Sequence, residues 1–250
     1  MAEGPQVKLT TERLEGYLTG RMVADCKTTR PKLADFTEAA RGRTVERVWC
    51  KGKHIFIAFD GGLFLQNHLL MRGSWRKLSG RLLLLPEEMW LALETNNATV
   101  CNHRGQMLRA LDAEAVAEQL DSLGPDVMSS TCSAPDIAAV LAGSDLPIGV
   151  ALLEQSLLCG IGNVAKSEAL FLAGVHPEMR SRDLRESQLA MLSGAILHVL
   201  WGSYHAGGRW THRVYRRQGQ QCPMCGNRLL MIRQGQAQRS TYFCGVCQPI

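Results

Sequence analysis

Leu158-Cys159-Gly160-Ile161-Gly162-Asn163-Val164 is a glycine-bearing turn between two runs of helical periodicity. Glycine adopts backbone angles that other residues avoid, and it lets a ligand approach the chain closely. We expect the next helix to start at Asn163 or Val164, so that its free N–H groups accept an anion and the Asn163 amide adds a donor. An ordinary helix–turn–helix connection also uses glycine, and this second interpretation stays open.

The chain around this turn changes from β-type to helical periodicity near Ala113, with a break at Gly124-Pro125-Asp126. The predicted helices are Glu114–Leu120, Pro135–Leu141, Ile148–Leu158, Val164–Leu172 and Arg185–Leu200. The predicted strands are Val45–Trp49, His54–Phe59, Leu63–Leu69, Leu82–Leu85, Trp90–Glu94 and Thr99–Cys101, separated by turn signals. Short strands at this spacing favour an antiparallel sandwich or barrel.

A short helix capped by Thr10 or Thr11 is predicted ahead of the strands, with Leu14, Tyr17 and Leu18 on its apolar face. The fold class is therefore α+β. We expect three domains: a β-rich domain over 1–123, a helical domain over 124–212 and a cysteine-bearing tail over 213–250.

Composition allows a large core and a polyanionic partner. The chain has 250 residues, 46% of them hydrophobic, and a net charge of +5. A mild basic excess permits binding to nucleic acid without requiring it. No secretory signal is visible, and the apolar runs are too short to span a bilayer. We expect a soluble, cytoplasmic protein.

Two C-x-x-C pairs in the tail predict a structural zinc site. Cys222-Pro223-Met224-Cys225 and Cys244-Gly245-Val246-Cys247 are separated by eighteen residues, so each pair can present two thiolates to one tetrahedral ion. Redox pairs and disulfides are the alternatives. The remaining cysteines are scattered singly and are interpreted as buried small hydrophobes: Cys26, Cys50, Cys101, Cys132 and Cys159.

The segment between the cysteine pairs, residues 227–243, is predicted to form a hairpin with Arg239 near its tip. A rigid hairpin that displays an arginine among small polar residues is suited to binding a phosphate. A solvated surface arginine is the alternative.

The N-terminus, Met1-Ala2-Glu3-Gly4-Pro5-Gln6, offers a second kind of chemistry. Removal of Met1 would leave a primary amine on Ala2 beside the Glu3 carboxylate. An α-amine has a pKa near 7.7–8.0, so part of it is neutral and nucleophilic at pH 7. An amine beside a carboxylate can form a Schiff base with a sugar aldehyde carbon. A frayed terminus is the alternative.

Taken together, these segments resemble the formamidopyrimidine-DNA glycosylase/endonuclease VIII family of base-excision repair enzymes, closer to the endonuclease VIII side. The matching segments follow the family's order along nearly the whole chain: Ala2-Glu3-Gly4-Pro5, Lys53 within Lys51-Gly52-Lys53-His54, His68-Leu69-Leu70-Met71-Arg72-Gly73, Gly124-Pro125-Asp126-Val127, Pro147-Ile148 through Asn163 to His176-Pro177, Val214-Tyr215, the four cysteines, and Gln238 to Cys244.

The resemblance implies an N-terminal helix and β-sandwich, a helix–two-turn–helix domain and a zinc-finger hairpin. It implies one structural zinc, no catalytic cofactor, and damaged DNA bound between the halves with the damaged nucleotide flipped out. Carried onto this chain, the nucleophile is Ala2, the proton carrier is Glu3, and Lys53 holds phosphate and sugar at the reaction centre.

The remaining family roles fall on DNA-binding positions. Asn163 and Arg239 would hold phosphates beside the lesion, and Met71 would fill the gap in the base stack. Met71 as ordinary core and Lys53 as a surface charge at a strand end are the alternatives.

The chain departs from the family at three places, one of which is Gln6, where relatives commonly have an acidic residue. Most members have proline where this chain has Ala2, and a primary amine gives an imine that can be neutral and is a poorer electron sink. We therefore expect base excision with weakened strand cleavage. Residues 100–105 lack the arginine–phenylalanine pair of relatives and leave Arg104 as its only remnant.

With fewer groups to fill the stack, single-stranded or cross-linked DNA becomes a candidate substrate beside duplex. We expect a monomeric glycosylase that removes damaged bases, oxidised pyrimidines first. A non-catalytic protein that binds damaged DNA or abasic sites on the same scaffold is the alternative.

Overall fold

Helix α1, Gly4–Leu18, opens the chain in the computed structural model, which describes residues 2–80, 82–105 and 107–250. The prediction that Thr10 or Thr11 caps this helix is wrong. Both lie inside it, where their hydroxyls donate to the carbonyl oxygens of Gln6 (2.7 Å) and Val7 (2.9 Å). The helix instead begins at Gly4-Pro5, because proline fits the first turn, where its missing N–H costs no hydrogen bond.

The chain divides into two compact units. The first contains Ala2 and Gln6–Ser122, and the second contains Glu3–Pro5 and Leu123–Ile250. The main boundary lies between Ser122 and Leu123. In addition, Glu3–Pro5 belong to the second unit, although the residues on either side of them belong to the first.

The first unit is built on two four-stranded antiparallel sheets, as the sequence predicts. One sheet has the order β1-β6-β7-β5 and the other β2-β3-β4-β8. Side chains of both sheets and of α1, including Val7, Leu14, Ile55 and Leu93, form one buried core. The strands are β1 (Val23–Thr28), β2 (Val45–Lys51), β3 (His54–Phe59), β4 (Leu63–His68), β5 (Ser74–Leu78), β6 (Met89–Thr95), β7 (Thr99–His103) and β8 (Met107–Leu111).

The first unit also contains short helical segments: α2 (Ala34–Ala40), α3 (Ala113–Asp121) and 3₁₀ turns at Pro31–Leu33 and Asp60–Gly62. The predicted strand over Leu82–Leu85 is wrong. Leu83 and Leu84 are 94% and 85% exposed, so this apolar run lies in a loop outside the core. Strands β1, β5 and β8 were not predicted.

The second unit contains the helices α4 (Ala134–Ala142), α5 (Ile148–Ala151), α6 (Asn163–Ala173) and α7 (Glu186–His205), with a 3₁₀ turn at Ser181–Asp183. The predicted helix Ile148–Leu158 is too long. After Ala151 the chain turns, and the Gln155 side chain accepts from the N–H of Gly160 (3.1 Å) and donates to the carbonyl of Ile161 (3.2 Å). Gln155 thus supports the glycine turn rather than a helix.

The C-terminal segment of this unit forms a hairpin from β9 (Leu230–Gln234) and β10 (Arg239–Phe243). Arg239 pairs with Gln234 at the turn and is exposed, in agreement with the sequence prediction. All nine cysteines lie within the described ranges, and none of them forms a disulfide; Cys26, Cys101 and Cys159 are buried, and Cys50 and Cys132 are half-buried. None of the helices in the described ranges is both long enough and apolar enough to cross a bilayer.

Candidate functional site

The carboxylate of Glu3 is buried against the N-terminus of α6. Its two oxygens accept hydrogen bonds from the backbone N–H groups of Val164 (2.8 Å) and Ala165 (3.1 Å), and the residue has no exposed surface. Free N–H groups and the helix dipole favour a negative charge there. The prediction that these N–H groups bind an external anion is wrong, because the chain's own carboxylate occupies them.

Both glycines of the turn are required by this arrangement. A Cβ on Gly162 would lie 2.3 Å from Cδ of Glu3, so any larger residue would displace the carboxylate. Gly160 has a φ of 104°, which L side chains rarely adopt, and its carbonyl accepts from the N–H of Gly4 (2.9 Å). The turn therefore fixes Glu3 and the start of α1.

Asn163 is the first residue of α6 and is 6% exposed. Within the part of the chain that the structure describes, its Oδ1 is a buried atom without a hydrogen-bond partner. An unpaired buried amide oxygen is costly.

Lys166 joins α6 to the hairpin. Its Nζ donates to Oγ1 of Thr241 (2.7 Å) and to the carbonyl of Ser240 (3.3 Å), next to Arg239 in sequence. Burial lowers the pKa of Lys166 to about 7; Glu3 opposes this shift and Arg239 adds to it. Sequence reasoning missed Lys166, although a lysine in the apolar run of α6 was the available signal.

Glu168 organises the segment ahead of the cysteines. Its carboxylate accepts from the backbone N–H groups of Arg213, Val214 and Tyr215, at 2.9–3.0 Å. The ring of Tyr215 lies edge-on to that of Tyr242, and burial raises the pKa of the Tyr215 hydroxyl. Glu168 was also missed, because its partners lie more than forty residues away.

In the first unit the nitrogen of Ala2 lies 3.2 Å from the carbonyl oxygen of Leu70, to which it donates. Leu70 has a φ of 47°, and its own N–H donates to Nδ1 of His68 (3.0 Å). Leu70, in the loop after β4, therefore contacts both the Ala2 nitrogen and His68.

Lys53 lies in the two-residue turn between β2 and β3, and its charge affects the pKa of two histidines. His54 and His68 are paired across β3 and β4, with ring centroids 4.9 Å apart. Burial first, and the nearby charge of Lys53, lower the pKa of both to about 4. Both rings are thus neutral at pH 7. No role was predicted for these histidines from the sequence.

The two predicted residues at the stacking positions are on the surface. Met71 is 57% exposed, so the interpretation of Met71 as core is wrong. Arg104 is exposed, has a φ of 51°, and lies 3.9 Å from a carboxylate oxygen of Glu88. Arg104 is therefore partly neutralised by its neighbour.

The four tail cysteines converge as a zinc site requires. Their sulfurs lie within 4.8 Å of one another, with Cys222–Cys247 at 3.8 Å and Cys225–Cys244 at 3.5 Å. Four sulfurs each about 2.3 Å from a tetrahedral zinc lie about 3.8 Å apart. Hydrogen bonds from Asn227 lower the pKa of the Cys225 thiol to about 6, whereas burial raises the pKa of the Cys244 and Cys247 thiols, so that binding of the metal itself must hold these two as thiolates. The tail holds one structural zinc.

Family comparisons agree with this arrangement. Residues 1–117 match the formamidopyrimidine-DNA glycosylase N-terminal domain, residues 123–213 its H2TH domain, and residues 219–250 a zinc finger found in FPG and IleRS. The chain is 27% identical to endonuclease 8 of Klebsiella pneumoniae (strain 342) and 26% identical to that of Salmonella typhimurium (strain LT2), covering 99% of this chain and 100% of each relative.

Solved structures share the fold. Fpg of Lactococcus lactis in complex with abasic-site DNA superposes with a TM-score of 0.85 at 24% identity and full coverage of both chains. Its complex with DNA containing an oxidised pyrimidine gives the same score and identity, over 99% of this chain and 100% of that one. Because the three family segments match in order over nearly its whole length, the chain belongs to the formamidopyrimidine-DNA glycosylase/endonuclease VIII family of DNA glycosylases, which act on damaged bases in DNA.

Proposed function

We propose that this protein excises damaged bases through the N-terminal amine of Ala2, exposed by removal of Met1, with Glu3 as its proton carrier. The observation that carries the proposal is the buried Glu3 carboxylate, held by two N–H groups of α6 and joined directly to Ala2. A carboxylate this tightly positioned is unexpected in a frayed terminus. Membership of a glycosylase family supports the same role.

The chemistry needs a neutral amine and a proton donor. The Ala2 nitrogen attacks the sugar C1′ as the bond to the base breaks, and the base leaves with the electron pair. Glu3, which starts as the carboxylate, takes a proton from the attacking Ala2 nitrogen and passes it to the ring oxygen as the sugar opens, giving a protonated Schiff base between Ala2 and C1′. The carbonyl of Leu70, which accepts from the Ala2 nitrogen, would orient its lone pair.

Five further residues would bind DNA. Lys53 would hold the phosphate and sugar beside the reacting carbon, and Asn163 and Arg239 would hold neighbouring phosphates. The place of Asn163 at the first residue of α6 and the exposure of Arg239 at the hairpin turn support these roles. Met71, exposed on its loop, would fill the space that the flipped nucleotide leaves, and Arg104 would contact the opposite strand.

The substrate we propose is an oxidised pyrimidine, in duplex and also in single-stranded or cross-linked DNA. The endonuclease 8 relatives support the first part, and the lack of the aromatic stacking residue of relatives at residues 100–105 supports the second. Because Ala2 gives an imine that can lose its charge, β- and δ-elimination at the abasic site would be weak. We place the protein in the cytoplasm, at the nucleoid in a bacterium, as a monomer.

The experiment that tests this function is single-turnover base release from DNA carrying an oxidised pyrimidine, with Glu3→Gln and with Glu15→Gln, an exposed control on the same helix. We expect Glu3→Gln to abolish release while it still binds abasic-site DNA, and Glu15→Gln to match the wild type. Release by Glu3→Gln at the wild-type rate would overturn the catalytic role. Binding without release by the wild type on any lesion would favour the non-catalytic alternative.

A further inference from the structure

Lys166 is a buried cation whose direct partners are neutral. The residue has no exposed surface, and its Nζ donates to the Thr241 hydroxyl and the Ser240 carbonyl. A buried ammonium group without a carboxylate in contact is costly, so such a residue is retained where it does something that an apolar side chain would not.

The hydrogen bonds of Lys166 continue through Thr241 to Gln234, the residue that pairs with Arg239 in the hairpin. The Thr241 hydroxyl, which accepts from Lys166, donates to Oε1 of Gln234 (2.7 Å), and Nε2 of Gln234 donates to the carbonyl of Pro177 (3.0 Å). Gln234 is the residue opposite Arg239 in the hairpin. Every link runs in one direction from donor to acceptor, and therefore the chain fixes both strands at the hairpin turn.

This network lies beside the proposed phosphate ligands. Lys166 is one turn beyond Asn163 on α6, and it contacts the two residues that follow Arg239 on β10. We propose that Lys166 is a positioning residue, which locks the strand that carries Arg239 to α6 so that Arg239 and Asn163 bind DNA phosphates as a unit. The inference rests on the proposed DNA-binding role of Arg239.

The charges around Lys166 make its effect on DNA affinity depend on pH. The groups that shift its pKa besides burial are Glu3, which raises it, and Arg239, which lowers it, to a value of about 7. A phosphate bound by Arg239 would add negative charge and favour the protonated lysine. DNA binding is then coupled to proton uptake, and affinity falls as pH rises above 7, by at most tenfold per pH unit for one proton.

The test is binding to a duplex with a tetrahydrofuran abasic analogue, measured by fluorescence anisotropy at fixed ionic strength between pH 6.5 and 8.5. We expect Lys166→Met to bind about tenfold more weakly at pH 6.5, the scale of one disrupted interaction in a network, and to lose the lysine's part of the pH dependence. Lys166→Arg keeps its charge, so it should restore affinity and bind with a flatter profile than the wild type. Lys32→Met, an exposed lysine of the first unit, is the control for the loss of one positive charge.

A wild-type affinity for Lys166→Met, or a pH profile parallel to that of the wild type, would overturn the inference. The melting temperature and zinc content of each variant identify misfolding, and Thr241→Val tests the same network without changing charge.

Arg239→Gln separates the two proposals. If it binds like the wild type, the phosphate role of Arg239 fails, whereas if it binds weakly and Lys166→Met does not, only the positioning role fails. Non-additive losses in the double variant Lys166→Met/Arg239→Gln would support the coupling.

Discussion

Oε1 of Glu3 lies 2.8 Å from the backbone nitrogen of Val164, a residue 161 positions further along the chain. This contact joins the N-terminal segment to the first turn of α6, and the Ala165 N–H adds a second hydrogen bond. Two charge-assisted hydrogen bonds at a helix N-terminus hold the carboxylate in one orientation. The relationship explains why the turn needs Gly162, where a side chain would meet Glu3.

Gly162→Ala should therefore impair catalysis, although no contact between residue 162 and DNA is proposed. The added Cβ would displace the Glu3 carboxylate, and we expect base release to fall about 100-fold, as for other small misplacements of reacting groups. Gly194→Ala on α7 is the matched control, because a Cβ there meets nothing within 4 Å. Single-turnover kinetics measure both variants, and normal release by Gly162→Ala would contradict the need for a fixed carboxylate.

Removal of zinc should abolish the part of the DNA affinity that the hairpin provides. Among the described residues, the buried apolar cluster under the hairpin consists of Phe171, Val214, Cys222, Leu229 and Cys244, with Tyr242 and Cys247 packed against it. Because this cluster is small, the metal supplies much of the stability of the hairpin. We expect chelation, or Cys225→Ser, to release the ion and to weaken binding to abasic-site DNA at least about tenfold, because Arg239 loses its scaffold. Metal analysis and anisotropy provide the readouts.

Cys132→Ser is the control for the zinc experiment, because this half-buried cysteine lies outside the cluster. It should keep its zinc and its affinity. If Cys225→Ser lost zinc and still bound DNA like the wild type, the hairpin would have no part in binding.

Met71→Ala should distinguish duplex from single-stranded substrates. In a duplex the flipped nucleotide leaves a gap in the stack, and the exposed Met71 side chain would fill it. We expect base release from duplex DNA to fall about tenfold and release from single-stranded DNA to change by less than about twofold, because no stack has to be held open. Equal losses on both substrates would argue against this role.

The sequence predicts this fold where hydrophobic pattern and turn chemistry agree. Strand His54–Phe59 has the predicted bounds because a β-type run ends at Asp60-Gly61-Gly62. Strand β1, Val-Ala-Asp-Cys-Lys-Thr, was missed because its polar residues hide the pattern. Leu82–Leu85 was misassigned because burial depends on tertiary packing, which four leucines in a row do not reveal.

The candidate site divides in the same way. The cysteine ligands and the Asn163 turn are local patterns, so their spacing is sufficient to predict them. The contacts of Glu3, Lys166 and Glu168 join residues 45 to 162 positions apart, and no periodicity encodes those pairings. Local motifs identify the parts of the site, whereas its hydrogen-bond network requires the folded chain.

The central claim is that Ala2 is the nucleophile, and borohydride trapping on abasic-site DNA followed by mass spectrometry tests it most directly. We predict that Met1 is absent from the purified protein and that the trapped DNA is attached to the tryptic peptide Ala2–Lys8 through the Ala2 nitrogen. Ala2→Leu, whose larger side chain should prevent removal of Met1, should give no product. A retained Met1, or active base release with no covalent product, would contradict the account.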